Sequence, residues 1–235
     1  MSALTAHGLG LSGRFGPADF TLPAGRLSMV IGPNGAGKTS RFHALIGHGE
    51  AQGEVRLGDH VLGTMTPAVR MQRLSFMPAS RDIGWPMRAR DVVALGLAPG
   101  LDRALVDGAL ERLDAMELGQ RAVNNLSTGE RTRILIARAL VSQPDVILLD
   151  EPLANLDPAW RLRVLALLAA EAERGAVVLL SVHDLMLARQ HQGDVLLIDK
   201  GQLIAHGPAR TTMCDGRLAA VFGVRLTPQG MELAD

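Results

Sequence analysis

The eight residues from Gly32 to Thr39, GPNGAGKT, constrain this chain more than any other stretch. They fit G-x-x-x-x-G-K-[ST], a loop that needs a strand before it and a helix after it. Glycine is required because the backbone turns tightly and must bring its N–H groups against an anion with no Cβ between. The helix that follows points its N-terminal partial positive charge at the same anion. Gly32, Pro33, Asn34, Gly35, Ala36, Gly37 and the adjoining Ser40 are therefore expected to wrap a nucleotide's phosphates. Lys38 would neutralise the β- and γ-phosphates, and the Thr39 hydroxyl would help hold Mg²⁺. Lys38 and Lys200 are the only lysines among 24 basic residues. Phosphate binding is a reason to keep a compact ammonium in an arginine-dominated chain.

The flanks agree with that loop. Leu27 to Ile31 is a compact apolar run, expected to be a buried strand. Lys38 to Ile46 should be helical, stopping near Gly47 and Gly49. The first 25 residues read as edge strands and turns, and Glu54–Leu57 with Val61 and Leu62 as a small hairpin. Leu74 to Met77 is a further short strand. From Arg88 to about Leu118 the reading is helical, broken at Pro99 and Gly100. Leu101, Leu105, Ala109, Leu110 and Leu113 recur there at helical spacing and are expected to pack in a core. Val146–Leu149 and Val177–Ser181 read as strands, Pro158–Arg174 and Asp184–His191 as helices. Two strands follow around Lys200 and Gly201, then a helix and a loose end from Thr211. Alternating strands and helices argue for an α/β sheet.

Chemistry gathers at three further places. VILLDE delivers Asp150 and Glu151 to the end of a strand, where open α/β sheets place ligands. Asp150 suits Mg²⁺ and Glu151 suits polarising an attacking water. In LSTGE, Ser127 and Glu130 have the spacing of a capping box, and a capped N-terminus with Gly129 is also an anion site. His183 follows the apolar run VVLLSV, at a helix start marked by Asp184. Composition narrows the partners: formal charge balances to zero, which gives no broad footprint for nucleic acid. Cys214 is the single cysteine, so no internal disulfide can form. No apolar stretch reaches membrane-span length, and the N-terminus lacks a signal-peptide layout. A cytoplasmic protein is expected.

GPNGAGKT, LSTGE, VILLDEP, ANLDP and SVHD occur in the order and rough spacing of ABC ATPase domains, which this chain resembles over nearly its whole length. The resemblance implies a P-loop α/β core with an N-terminal antiparallel β subdomain and an inserted α-helical subdomain at about 80–139. Residues 1–235 would form a single ABC ATPase domain. It implies ATP and Mg²⁺ as ligands, with two copies of the chain sandwiching two ATP molecules. Lys38 and Thr39 of one copy would hold a nucleotide against Ser127 and Gly129 of the other. Glu151 would be the general base, His183 would contact the γ-phosphate, and Asp157 would link the two sites.

SGRFGPADFTLPAGRL, SRDIGWPMRARDVVALGL and RLAAVFGVRL are similar to the ATPases of importers for cobalamin, haem and iron chelates. A polytopic membrane permease would then dock around Arg81–Arg90, with Trp85 as an aromatic anchor or a packed core residue. A periplasmic or surface substrate-binding protein belongs to the wider complex, and the chain would sit peripherally on the inner face of the membrane. A soluble ABC ATPase for cofactor assembly and a nucleotide-dependent regulatory module are the other readings. Three departures stand out. Ala79 follows Pro78 where the family carries glutamine, Thr128 replaces the first signature glycine, and no tyrosine is present to stack adenine. Phe15 and a cation–π contact from Arg14 are the candidates for that stacking. If Ala79 limits coupling, Ala79→Gln should raise ATP turnover; an unchanged rate counts against it.

Overall fold

The computed structural model describes residues 2–227 and 230–234. Strands β1 (Leu4–Leu11), β2 (Phe15–Leu22) and β3 (Leu27–Ile31) lead into the glycine-rich loop and helix α1 (Lys38–Leu45). Strands β4 (Ala51–Leu57) and β5 (His60–Val61), helix α2 (Pro67–Arg73) and strand β6 (Leu74–Met77) follow. Helices α3 (Ala89–Ala94), α4 (Leu105–Arg112) and α5 (Thr128–Leu140) fill the stretch before β7 (Val146–Leu149). Next come α6 (Pro158–Glu173), β8 (Val177–Ser181), α7 (Leu185–Gln190), β9 (Asp194–Asp199) and β10 (Gln202–Pro208). The described chain closes with α8 (Ala209–Thr212), α9 (Asp215–Phe222), β11 (Val224–Thr227) and β12 (Gly230–Leu233).

Six strands form the central sheet in the order β10-β9-β3-β8-β7-β6, parallel except for the β9–β10 pair. Every residue of β3, β7 and β8 is buried, as a strand covered on both faces must be. Alternation then divides each strand between two cores. Met29, Ile31, Ile147, Leu149, Val178 and Leu180 face a core shared with α3, α4, α5 and α6. Val30, Val146, Leu148, Val177 and Leu179 face the other, built with Phe42 and Leu45 of α1 and the antiparallel sheet β2-β1-β4-β5. Burying each large apolar side chain in these layers stabilises by roughly 1.5–3 kcal/mol. The sheet centre is therefore the most fully buried part of the described chain, and its strand ends carry the candidate site.

Caps set several boundaries. Ser127 and Glu130 close a reciprocal capping box at the start of α5. Asp157 caps α6 with Pro158 as its first residue, and Asp184 caps α7. Glu171 of α6 is buried and ion-paired to Arg112 of α4 and Arg174, which fastens the inserted helices to the sheet layer.

Some elements differ from their sequence expectation. Helix α2 carries no buried residue, so it has no apolar periodicity; its only signals are the Thr66 cap and Pro67 at the first position. The break expected at Pro99 and Gly100 is present but wider, with residues 95–104 separating α3 from α4. Leu101 and Leu105 are 41% and 37% exposed, so the upper half of the apolar stripe is not core. The Asp102 carboxylate accepts the Ala104 N–H at 2.8 Å and restarts the chain as helix beyond Leu101. Val106, Ala109 and Leu110 then make its buried face. Strand β1 lies inside its sheet between β2 and β4 rather than at an edge. The C-terminal piece is no loose end: β11 and β12 pair antiparallel, from Val224 opposite Leu233 to Thr227 opposite Gly230.

Burial pushes the imidazoles of His191 and His206 below their ordinary range, opposed at His191 by the Leu27 carbonyl and Asp194, and at His206 by Asp194. In the unfolded chain both titrate near 6.5, so below that pH the unfolded state binds more protons than the folded one. Folding stability should therefore fall as pH drops through and below about 6.5. Urea midpoints at pH 7.5, 6.5 and 5.5 measure this; the His191→Gln, His206→Gln double variant should show a shallower decline, and an identical slope would discount both histidines.

Candidate nucleotide-binding site

Strands β3, β8 and β7 are neighbours and parallel, so their C-terminal ends open on one edge of the sheet. Open α/β sheets bind ligands along such an edge. Strand β3 delivers the Gly32–Thr39 loop, β8 delivers Ser181 to His183, and β7 delivers Asp150 and Glu151. A Cβ on Gly32 would stand 2.3 Å from the Ile198 carbonyl oxygen, which only glycine avoids. Gly35 and Gly37 have φ of 81° and 97°, the left-handed turn that bends the loop back over α1. The first-turn N–H groups of α1 have no acceptor within the helix and face the space inside the loop. Lys38 reaches into that loop: its Nζ donates to the Gly32 and Pro33 carbonyls at 2.7 and 3.1 Å. Burial pushes the Lys38 ammonium below its ordinary value, and Glu151 and Asp150 oppose the shift.

Asp150 is fully buried, and both carboxylate oxygens are occupied. Thr39 Oγ1 donates to one at 2.6 Å and Ser181 Oγ to the other at 2.5 Å. Ser181 Oγ in turn accepts the Glu151 N–H at 2.8 Å. The serine was absent from the sequence-based candidates, although its place one residue past an apolar strand run and two before His183 was a readable signal. Glu151 has φ of 53°, an uncommon conformation for a side chain of this size. Strain of this kind persists where the surroundings hold it, and here the turned backbone presents the carboxylate to His183. Glu151 Oε1 lies 2.7 Å from His183 Nε2. A cleft of about 350 Å³ joins Glu151 to Lys38, Thr39 and Ser40. The Thr39 hydroxyl and Asp150 carboxylate are hard oxygen donors side by side, and they fit Mg²⁺. No group of three or more His, Cys, Asp or Glu among the described residues forms a metal cage. Mg²⁺ characteristically completes its shell with phosphates and water.

Arg81 is a second residue that sequence reasoning missed in this role. It follows β6 by four positions, and one guanidinium nitrogen donates to the Glu151 backbone carbonyl while another donates to Ala79 O at 3.4 Å. Burial pushes its guanidinium down, with Glu151 and Asp150 opposing.

The remaining candidates divide clearly. Phe15 is only 6% exposed and its ring lies under the Arg41 guanidinium, 4.6 Å to the centroid, so it is not available to stack a base. Arg14 is exposed and lines the phosphate cleft. Ser127 and Gly129 are not in that cleft; they line a separate small cavity with Asn155 and Asp157. Asp157 Oδ1 accepts the Trp160 N–H at 2.9 Å. Trp85 is 75% exposed, which rules out the packed-core alternative for it.

Residues 15–154 match the family described as ABC transporter. The hemin import ATP-binding protein of Nocardia farcinica is 36% identical over 212 residues, covering 87% of this chain and 74% of that protein. The hemin import ATP-binding protein of Pseudomonas fluorescens is 38% identical over 222 residues, covering 90% and 87%. A solved metal-chelate type ABC transporter in an inward-facing conformation superposes with a TM-score of 0.79 at 24% identity, over 99% of this chain and 96% of that one. The ATP binding subunit of another ABC transporter gives 0.80 at 22%, over 94% and 95%. At such identities the structural likeness speaks to the fold.

Arg81 holds a backbone atom of Glu151, so it acts as a positioning residue. Arg81→Ala should lower kcat for ATP about tenfold with KM nearly unchanged, the signature of a lost transition-state contact. Arg81→Lys should not rescue it, because an ammonium lacks the guanidinium fork. Equal kcat in wild type and Arg81→Ala would remove the residue from this role.

Proposed function

Because the chain belongs to the ABC transporter family of ATP-binding proteins, we propose that it hydrolyses ATP to energise a membrane importer for haem or another metal chelate. The observation that carries the catalytic reading is the Glu151–His183 contact of 2.7 Å beside the phosphate loop. Two hemin import relatives at 36% and 38% identity support the cargo class.

Glu151 is the group placed to take a proton from water. As the water oxygen bonds to the γ-phosphorus, the bond to the β–γ bridging oxygen breaks, and ADP and phosphate result. His183 contacts the Glu151 carboxylate at 2.7 Å and would meet the γ-phosphate. Lys38 would exchange its contacts with Gly32 and Pro33 for phosphate oxygens. Mg²⁺, held by Thr39 and Asp150, would supply charge neutralisation at the phosphates.

Ser127 and Gly129 lie outside their own chain's cleft, which favours their serving the nucleotide of a second copy in a sandwich dimer. Asp157, beside them, would then sit at the junction of the two sites. No described helix is long and apolar enough to cross a membrane; the likeness to hemin import ATP-binding proteins supports a membrane permease as partner. Exposed Trp85 supports docking of that permease around Arg81–Arg90; the chain would then sit on the inner face of the membrane, with a substrate-binding protein in the wider complex. The absence of glutamine at Ala79 favours a second reading, a regulatory module with weak turnover.

Glu151→Gln should cut ATP turnover by about two orders of magnitude or more, the scale of removing a general base, while ATP binding and ATP-dependent dimerisation persist. Undiminished hydrolysis would strip Glu151 of the base role. Copurification with a polytopic membrane protein tests the importer reading, and its failure alongside negligible wild-type turnover would favour the regulatory one.

A further inference from the structure

Glu151 lines a second cavity besides the phosphate cleft. This one holds about 500 Å³ and lies among the loop after β7, the segment from Ser181 into α7, and strand β12. Its volume falls within the roughly 300–1,000 Å³ of pockets that bury small organic ligands. Lys38, Thr39 and the glycines of the phosphate loop line the other cleft and not this one. Two left-handed residues, Glu151 with φ of 53° and Asn155 with φ of 61°, bend the loop that forms one wall. The Asp184 carboxylate accepts the Leu187 N–H at 2.9 Å and fixes the wall made by α7. Strand β12 supplies Met231 on a third side. Its hairpin is held by the buried Leu226 and by a 2.9 Å bond from the Ala234 N–H to Gly223 O.

The lining is chemically divided. Leu153, Val182, Leu185, Met186 and Met231 give it an apolar body, with two thioether sulfurs that suit a polarisable partner. Both carboxylates in the lining are engaged, Asp184 by the Leu187 N–H and Glu151 by His183. Arg161 is exposed and spends only its Nε, on Leu156 O at 3.0 Å; neither terminal nitrogen has a partner among the described residues. A cation with two open donors beside apolar walls suits a carboxylate on a largely apolar molecule. His183 adds a metal ligand. An ionised Glu151 can only accept from Nε2, 2.7 Å away, so Nδ1 keeps the lone pair that a metal takes. A carboxylate on the other ring nitrogen is the usual outer support of a ligating histidine. A flat apolar ring that bears carboxylates and a metal answers all three features.

We propose that this cavity binds an iron porphyrin, with its ring against the apolar wall, a carboxylate on Arg161 and its iron on His183. The occupant then holds His183 away from the γ-phosphate, and ATP hydrolysis stops. An importer of haem would thereby be slowed by the cargo it has delivered. That regulatory half rests on the haem-importer reading given above, whereas the site rests on the cavity.

Absorbance titration of the full chain with hemin, and ATP turnover with and without hemin, test it. Wild type should bind one hemin per chain with a shifted Soret band, and bound hemin should lower turnover about tenfold or more, as loss of a catalytic contact does. Met231→Asp sets a carboxylate against the ring and should weaken hemin binding about tenfold or more, while hemin-free turnover stays at the wild-type rate. Arg161→Gln should weaken it roughly tenfold, the scale of one charge-assisted bond. Metal-free protoporphyrin, which lacks the iron contact, should bind about tenfold more weakly than hemin. Hemin held as tightly by both variants as by wild type, or taken up at several per chain, marks adventitious association and overturns the site. Equal affinity for hemin and metal-free protoporphyrin overturns the contact with His183, and binding that leaves turnover unchanged overturns the inhibition. Wild type that hydrolyses ATP but takes up no hemin sinks this inference and leaves the ATPase reading standing. Wild type that binds hemin without hydrolysing ATP brings down that reading and the inhibition together, but not the site.

Discussion

Asp150 places a carboxylate at the end of β7 with no exposure to solvent. A buried charge costs several kcal/mol unless it is fully hydrogen-bonded. Here the bonds come from Thr39, on the helix after β3, and from Ser181, at the end of β8. Three sheet strands thus have their terminal loops tied to one charge. The consequence runs outward through Ser181, whose oxygen also holds the Glu151 amide. The left-handed turn at Glu151 is braced by that bond on one side and by Arg81 on its carbonyl. The Glu151 carboxylate is therefore aimed by a network whose root is an electrostatic necessity.

What was legible in the sequence follows the strength of each physical signal. The runs Leu27–Ile31, Leu74–Met77 and Val177–Ser181 are strands with the expected bounds, because burial, complete in β3 and β8 and partial in β6, keeps each run apolar apart from one small serine. The serine–glutamate spacing at Ser127 is a capping box in the structure as in the pattern. Helix α2 was illegible because it buries nothing. Leu101 was misread because apolar spacing cannot reveal that the Asp102 turn shifts where a helix begins. At the site, the loop and the two carboxylates were readable from local pattern. Ser181 offered only its place between the β8 run and His183, and Arg81 nothing local, since their importance lies in contacts across 31 and 70 positions.

Two substitutions relative to the family pattern share one chemical direction. Near β6 a small Ala79 stands beside an arginine that reaches Glu151, and at the β1–β2 turn a buried phenylalanine leaves an exposed arginine at the cleft mouth. In both places a guanidinium lies close to the departure: Arg81 bonded to the Glu151 carbonyl, Arg14 lining the phosphate cleft. Arginine keeps its charge under the partial burial found at Arg81, and its planar fork fixes direction as well as charge. The chain uses Lys38 where a point charge on phosphate is wanted and arginine nearly everywhere else.

The capping box at α5 also carries a directional consequence. A serine hydroxyl has one proton to give and room to accept twice. In the box, Ser127 Oγ acts as acceptor for the Glu130 N–H at 3.2 Å. Its proton is thus unspent on the helix it caps. The Glu130 carboxylate meanwhile takes up the Ser127 N–H at 2.8 Å, so the serine backbone cannot drift. The cap leaves an exposed hydroxyl with one lone pair engaged and its proton still to give. An anion brought to this surface meets a bond already half made.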